Sequence, residues 1–500
     1  MSGVKSLASQ TMWYGVSSIA ARFINYLLTP YLTYNFAKEV YGDITVLYAA
    51  IPFLTVLFTH GMETAYFRFS NNQDRRQSVY NTSSLSMILV TALLSVFMLF
   101  NTQFFANLLE MGKNPEFIKI AVLIVAFDAL SAIPFAKLRQ DGRPIKFALV
   151  RVGGILVNIF FTYFFISVCP KMLAQNPDSW IRVWYNPTWG VGYVFLANLI
   201  QSIVTLLLLG KEFLGFQWRF NPTLWKEMMI YSLPLIIVGF GGIINETFDR
   251  LMLMWLAKDG PNMSAKGQVG IYGACYKLSI LITLAVQAFK MGAEPFFFKE
   301  AGNKNAPQTY ARVMKFFVIV LCLMFLGVML FIDYWKHFIQ NREMWAGLGI
   351  VPVLLLANMF LGIYYNLSIW YKLGNQTKKG AYITLIGSAI TVVFNFIFIP
   401  LWGYWACAWA TFLCYGSMMV ISYVWGQKHY RVPYAWKKLT AYIVIAVVAY
   451  LIHFGITSLT GSLVLSTILG MVLLALYAAF IFKIEKAEFK KLPVIGKYIK

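Results

Sequence analysis

The sequence predicts an all-α membrane protein with fourteen transmembrane helices, arranged as two related lobes of six helices and a C-terminal pair. Three observations lead to this fold class. Of the 500 residues, 59% are hydrophobic and 12% are charged, whereas a soluble domain carries roughly twice that charged fraction. Apolar runs of about 20 residues, long enough to cross a hydrocarbon core of about 30 Å, recur along the chain. A long motif also occurs twice.

The apolar runs follow one another with short connections, and the alternation expected of barrel strands is absent. No connection is long enough to fold as a separate soluble domain, so any chemistry has to take place in or between the spans. The fourteen predicted spans cover residues 12–36, 44–67, 80–102, 117–136, 146–168, 190–209, 228–255, 269–290, 311–333, 346–370, 381–400, 405–425, 439–457 and 462–482.

The net charge of +22 follows the positive-inside rule. If the N-terminus is cytoplasmic, basic residues cluster in every inner connection and in the tail, whereas the outer connections hold one or two each or none. We therefore expect both termini in the cytoplasm. A nucleic-acid partner would need a soluble basic domain, and the sequence offers none, so we expect no nucleic-acid binding.

The start of the chain and its cysteines carry little functional signal. The first span is too long and too polar for the apolar core of a cleavable signal peptide. The five cysteines are scattered mostly within spans and have no metal-ligand spacing. We interpret them as small packing residues and expect no metal site.

The repeated motif occupies residues 41–68 and 272–299, at a constant offset of 231 residues. Both copies read Tyr-Gly, about twenty mostly apolar residues, then Gly-x-Glu-x-x-aromatic-Phe-basic. Weaker echoes link span 5 to span 11 and the start of span 6 to the start of span 12. An even number of spans in each copy keeps both copies in the same orientation, related by an axis along the membrane normal.

The repeat predicts how the chain is divided. We expect an N-terminal lobe of spans 1–6 (residues 1–210), a cytoplasmic linker (211–227) and a C-terminal lobe of spans 7–12 (228–426). Spans 13 and 14 and a basic cytoplasmic tail (427–500) lie outside the repeat.

Fourteen spans on a 6+6+2 plan, together with the Gly-Met-Glu-Thr-Ala-Tyr-Phe-Arg ending of span 2, resemble the Wzx-type polysaccharide flippases of the multidrug/oligosaccharidyl-lipid/polysaccharide exporter superfamily. The resemblance implies two six-helix lobes around a central cavity in a bacterial inner membrane. It implies a transporter that flips an undecaprenyl-diphosphate-linked oligosaccharide, such as a lipopolysaccharide precursor, from the inner to the outer leaflet. The implied partners are this glycan, membrane lipids and other polysaccharide assembly proteins.

Cations inside spans are candidate substrate ligands, because a charge at the centre of a span costs about 2.5–3.5 kcal/mol on insertion scales. Arg22 and Asn25 begin a polar stripe along span 1, and Arg151, Arg250 and Lys277 lie in spans 5, 7 and 8. A guanidinium matches phosphate oxygens bidentately, so we predict a cationic cavity for the diphosphate. Structural roles compete with this interpretation. Arg22 could bridge helices through backbone carbonyls, and Arg151 could pair with Asp128 in span 4.

Span 7 contains a cluster of polar residues, with Asn245, Glu246 and Asp249 just before Arg250. The functional interpretation is a coupling site where a carboxylate gains H⁺ or Na⁺, the only cofactor that we expect. The alternative is an ion pair between Glu246 and Arg250, four residues apart with the acid first, which would neutralise the helix for insertion.

Two acids of the repeated motif, Glu63 and Glu294, lie near the inner ends of spans 2 and 8, close to Arg68 and Lys299. We interpret them as ion pairs that lock the inner helix ends. A cytoplasmic gate that opens when these pairs break is the sharper hypothesis.

Other function classes fit less well. A polysaccharide polymerase or ligase needs a larger outer loop than the roughly twenty residues found here, and no phosphate-cradling or acidic metal motif indicates a glycosyltransferase. We therefore do not expect an enzyme. A lipid II flippase and a cation-coupled drug exporter of the same superfamily stay open as alternatives.

Overall fold

The computed structural model describes residues 19–20, 22–71, 73–260, 263–374 and 376–490. Within these ranges the regular structure is helical, apart from one bridge between Gly260 and Met263. The helices that correspond to the predicted spans are α1 Leu28–Asn35, α2 Lys38–Thr59, α3 Arg76–Phe100, α4 Glu116–Gln140, α5 Pro144–Tyr163, α6 Gly192–Leu208, α7 Pro222–Leu256, α8 Ala265–Glu300, α9 Ala306–Met329, α10 Val351–Leu367, α11 Thr377–Trp402, α12 Tyr404–His429, α13 Trp436–Thr460 and α14 Leu463–Phe489.

Twelve helical segments of the described residues are long and apolar enough to cross a membrane. They include every helix named above except α1 and α6, and α6 is an apolar helix of 17 residues. Residues 12–18 of the first predicted span lie outside the described residues. The prediction of a multi-pass helical membrane protein is confirmed, while the count of fourteen and the cytoplasmic termini stay predictions.

Several spans are less regular than their hydropathy indicates. The second predicted span, 44–67, is not continuous, because α2 ends at Thr59 and a separate helix runs from Met62 to Phe69. A π-helical turn follows α5 at Phe164–Val168. Residues 291–300 were expected to belong to an inner loop but continue α8 to Glu300.

Local sequence explains where α7 and α14 begin. The Asn221 side chain accepts a hydrogen bond from the Leu224 backbone N–H at 3.0 Å, and Pro222 follows at the first helical position, where its missing N–H costs nothing. Gly461 ends α13 in a left-handed conformation, which glycine adopts without steric cost. Ser462 then caps α14, so α13 and α14 form a hairpin.

The chain divides into two compact units. The first comprises Met1–Ala274 with Thr384–Cys414, and the second comprises Cys275–Ile383 with Tyr415–Lys500. In the first unit α4 packs against α2, α3 and α6, while α7 packs against α2. In the second unit α9 packs against α10, α13 and α14. The lobe boundaries at residues 210 and 228 rest on the sequence repeat and stay predictions.

Candidate functional site

Arg151 is an exposed cation in the middle of an apolar helix of the first unit. Its guanidinium carbon lies 4.5 Å from the centre of the Phe135 ring and 5.7 Å from that of Phe147. The aromatic faces attract the cation and leave the N–H edges of the guanidinium available. A charge in the middle of an apolar span is costly against lipid, and the predicted cationic cavity would give it a polar setting.

Four other charged residues lie within electrostatic range of Arg151, namely Arg22, Arg139, Glu63 and Asp128. Arg22 and Asp128 are exposed as well. Asp128 and Arg151 attract each other within this cluster, but no direct ion pair joins them among the described residues, so the predicted pairing is present only as a longer-range interaction. The cluster holds three cations and two carboxylates, so it carries a net positive charge. The structure thus brings Arg22 and Arg151 together, as expected of a cationic cavity wall.

The residues of the polar stripe predicted along span 1 differ in their exposure. Arg22 and Asn25 are exposed, whereas Tyr26 and Thr29 are 5% and 3% exposed. Only the first two residues of the stripe are therefore accessible to a ligand.

The glutamates of the repeated motif form matching ion pairs in the two copies. Glu63 accepts a hydrogen bond from Arg139 at the end of α4, and Glu294 accepts one from Lys372, just after α10. Each pair links the C-terminal end of the second span of a copy to that of the fourth. The sequence held the signal, since the two bases stand at nearly the same offset as the two acids.

The partners expected for these acids from sequence proximity were wrong. The Arg68 guanidinium lies over the Tyr231 ring at 4.4 Å, and Lys299 is exposed. Residues five apart on a helix do not share a face, so neither base is well placed to reach Glu63 or Glu294 on its own helix.

Aromatic contacts repeat in the same way. The rings of Tyr66 and Tyr80 meet edge to face at 6.4 Å in the first unit, and those of Phe297 and Tyr310 do so at 5.0 Å in the second. The two copies of the motif therefore share an ion pair and a ring contact, which supports a structural origin for the sequence repeat.

The charged residues at the end of α7 form a buried, self-neutralised cluster. Asp249 pairs with the adjacent Arg250 at 2.8 Å and accepts a hydrogen bond from the Tyr272 hydroxyl. Arg250 also donates to the backbone carbonyl of Glu246. The predicted side-chain pair between Glu246 and Arg250 is wrong, and the Glu246 carboxylate is exposed with no ion pair among the described residues. Arg250 is thus buried within the fold rather than displayed in a cavity.

Polar contacts join α7 to α11 within the first unit. Asn245 donates through Nδ2 to the Thr384 carbonyl at 3.1 Å, and the Ser388 hydroxyl donates to the Gly241 carbonyl at 2.9 Å. Gly241 allows this approach, because an added Cβ would lie 3.3 Å from the Ser388 hydroxyl.

Asn395 is a residue whose environment the sequence did not reveal. It lies three turns after Thr384, on the same face of α11, and is fully buried. Its amide has no hydrogen-bond partner among the described residues. Buried amides are normally paired, so this one is an exception within α11. Across the described residues, no three His, Cys, Asp or Glu side chains are grouped to hold a metal ion.

Lys277, the last predicted cavity cation, is half-buried in α8. It belongs to the second unit, whereas Arg250 belongs to the first. A role for Lys277 in a cationic cavity wall therefore stays a prediction.

A family model described as polysaccharide biosynthesis protein matches residues 7–300. The fold is similar to that of the lipid II flippase MurJ in an inward closed conformation, with a TM-score of 0.70, 13% identity, and coverage of 94% of this chain and 98% of that one. An inward-facing multidrug resistance MATE family transporter of the MOP superfamily matches with a TM-score of 0.65 and 13% identity, over 82% of this chain and 94% of that one.

An outward-facing MATE transporter of the same superfamily gives a TM-score of 0.57 at 12% identity, over 85% of this chain and 94% of that one. No curated protein matches the sequence significantly. At these identities the solved structures establish a shared fold.

Proposed function

We infer that this chain, which belongs to the polysaccharide biosynthesis protein family, is a flippase for lipid-linked oligosaccharides. Its substrate would be an undecaprenyl-diphosphate-linked glycan, moved from the inner to the outer leaflet of a bacterial inner membrane by alternating access. Other polysaccharide assembly proteins would deliver and receive this glycan. The MurJ and MATE folds that it resembles support transport rather than catalysis.

The observation that carries this proposal is the net cationic cluster around Arg151. Arg22 and Arg139 both lie within electrostatic range of Arg151, in a unit built from apolar helices. A diphosphate needs such a cluster to leave the headgroup region, because its own charge is costly to move into a low dielectric. Guanidinium groups supply the planar donors that phosphate oxygens accept.

We also propose that transport is coupled to an ion gradient through α7. The carboxylate of Glu246 is exposed, so it is free to exchange a proton with water in the cavity. Asp249 already binds Arg250 and Tyr272, and its role would be to hold this segment of α7 in place. Asn245, next to Glu246, would position the coupling ion.

A lipid II flippase is the second candidate, and a specific observation favours it. The match to MurJ extends over 94% of this chain, compared with 82% for the inward-facing MATE transporter. Lipid II carries the same diphosphate and polyprenyl groups, so the cluster around Arg151 would serve either substrate. The drug-exporter alternative gives no reason for several cations in one cluster.

Deletion of the gene, followed by mass spectrometry of the membrane lipids, tests the proposal. We expect undecaprenyl-diphosphate oligosaccharide to accumulate, surface glycan to disappear and cell-wall synthesis to continue, with recovery on complementation. Accumulation of lipid II with lysis would move the assignment to the second candidate. Absence of any lipid-linked intermediate would contradict both and return the drug exporter to consideration.

A second experiment addresses the coupling. Transport into vesicles should lose its dependence on a proton or Na⁺ gradient in a Glu246→Gln variant. The same variant should keep its binding of the lipid-linked glycan, since Glu246 lies outside the cationic cluster. If the variant remains as sensitive to dissipation of both gradients as the wild type, Glu246 is not the coupling residue.

A further inference from the structure

The motif that occurs twice in the sequence takes two different backbone conformations. In the first copy, His60 and Gly61 are left-handed, with φ of 34° and 69°, and they separate two helices. In the second copy the corresponding Met291 and Gly292 lie inside α8, which is continuous from Ala265 to Glu300. The same sequence motif therefore forms an interrupted helix in the first copy and a continuous helix in the second.

Neighbouring helices hold the first copy in its broken form. The Ser232 hydroxyl donates to the Gly61 carbonyl at 3.3 Å. The His60 ring donates through Nδ1 to the Phe58 carbonyl and contacts the Ser86 hydroxyl through Nε2, both at 2.9 Å. A Cβ at Gly61 would lie 2.9 Å from the Ser232 Cβ, so the break is closely packed.

The second copy lacks such packing and has a weak helix at the same place. An added Cβ at Gly292 would meet nothing within 4 Å, and Met291 is 37% exposed. Glycine disfavours a helix interior. Pro295 has no backbone N–H to donate to the carbonyl of residue 291. At this step the continuous form is therefore neither closely packed nor favoured by its sequence, and the contacts that hold the helix lie on either side of it, at Lys290 and Glu294.

We propose that the Met291–Gly292 step of α8 is a hinge that adopts the broken form of its counterpart during the transport cycle. The segment beyond the hinge, 293–300, carries Glu294 and its ion pair with Lys372. Breaking the helix would move this segment and exchange that ion pair for contact with water. This inference rests on the proposed function, because alternation between inward-open and outward-open states is what would use the hinge.

The sequence difference between the copies sets which form dominates. Histidine is enriched several-fold at left-handed positions, whereas an unbranched apolar residue such as Met is uncommon there. The broken form of the second copy is thus the minor state in the absence of substrate. A ligand that binds the minor state better shifts the population towards it, which is the behaviour of a switch.

Spin labels on either side of the hinge test the proposal. Ile280→Cys and Lys299→Cys would place labels about 28 Å apart along a straight helix at 1.5 Å per residue. The native cysteines are buried, so labelling would be confined to the introduced sites. In lipid vesicles we expect a main distance near that value and a minor population several ångström shorter.

Two variants should move these populations in opposite directions. Gly292→Ala with Pro295→Ala should reduce the short-distance population about fivefold or more, as expected from the helix propensities of glycine and proline. Met291→Asn should increase it, because Asn tolerates the left-handed region. Gly153→Ala is the matched control, a helical glycine of α5 with open space around it, and should leave the distribution unchanged.

The outcomes separate the hinge from the proposed function. A single distance near 28 Å that Met291→Asn does not alter would overturn the hinge, even in a protein that transports its glycan. Two distances in a protein that moves no lipid-linked glycan would support the hinge and remove the flippase assignment. A change in the population on addition of the purified lipid-linked glycan would support both.

Discussion

Arg151 combines a permanent charge with an aromatic setting. A guanidinium over one or two ring faces gains about 0.5–2 kcal/mol, more as water is excluded, and this offsets part of the cost of a cation in an apolar span. The rings of Phe135 and Phe147 hold the plane of the guanidinium without using its N–H groups. This arrangement would hold the side chain ready for the anion of the proposed substrate.

Replacement of Arg151 should affect export in a graded way. Arg151→Gln removes the charge-assisted hydrogen bond that we propose to the diphosphate of the substrate. Such a bond is worth about 1.5–3 kcal/mol, so export of surface glycan should fall about tenfold or more. Arg151→Lys keeps the charge but loses the planar guanidinium, so its export should lie between that of the wild type and that of Arg151→Gln. Arg182→Gln, in an exposed ion pair of the loop before α6, is the control and should export normally. Wild-type export by Arg151→Gln, at equal protein level, would contradict the role of the cluster.

The pair of Glu63 and Arg139 can be tested by a double-mutant cycle. Both side chains are partly exposed, at 39% and 34%, so a coupling energy of about 0.2–1 kcal/mol is expected from thermal unfolding in detergent. A parallel cycle for Glu63 and Arg68 is the control and should show no coupling, because Arg68 lies over Tyr231 instead. Equal coupling in both cycles would mean that the ion pair seen in the structure does not form in solution.

These residues also mark what the sequence could and could not reveal. A charge in an apolar span is visible from the sequence alone, and so Arg22, Arg151 and Glu63 were identified as functional candidates. Their partners depend on which spans touch and at what height, which hydropathy does not encode. Asp128 was therefore paired with Arg151 because their spans are consecutive, and Glu63 with Arg68 because the two residues are close in sequence. Asn395 carries no charge, and the burial of its unpaired amide became visible only in the structure.

At the scale of elements, the hairpin of α13 and α14 is tied to α9 by a buried acid. Glu485 is 2% exposed and contacts Lys315 at 2.6 Å, Lys438 at 3.2 Å and the Tyr442 hydroxyl at 2.6 Å. A carboxylate at this burial is stable only with such partners. Nearby, Glu488 pairs with Arg312 in a more exposed position. The two helices outside the repeat are thus fixed at one end to the repeated part of the second unit.

Loss of the buried acid should destabilise this attachment. Glu485→Gln leaves Lys315 with the Glu488 carboxylate as its one remaining acidic partner, 4.0 Å away, and should lower the free energy of unfolding by about 3 kcal/mol. Glu488→Gln removes a partly exposed pair and should cost about 1 kcal/mol or less. Thermal unfolding in detergent and protease cleavage before α13 provide the measurements. If both variants lose the same stability, burial of Glu485 does not govern the attachment.

At the scale of the whole molecule, hydropathy and charge determine most of what could be predicted. Each membrane span is recognisable from its own hydropathy, so the helices lie close to the positions that the sequence predicted. The broken second span escaped prediction because His60 and Gly61 interrupt the backbone without interrupting the apolar run. The compact units combine Thr384–Cys414 with the N-terminal part of the chain, a grouping that depends on packing between distant segments.

The orientation of the chain is the remaining whole-molecule prediction, and the charge distribution argues it directly. Lysine and arginine resist translocation, so loops rich in them stay in the cytoplasm. Asp178→Cys, at a side chain that is 94% exposed in the loop before α6, should react in intact cells with a membrane-impermeant thiol reagent. Lys304→Cys, exposed between α8 and α9, should react only after the membrane is opened. The five native cysteines are buried, so the unmodified protein should give little background. The reverse labelling pattern at these two sites would mean that the chain has the opposite orientation. The helix ends that carry Glu63 and Glu294 would then face outward and could not form a cytoplasmic gate.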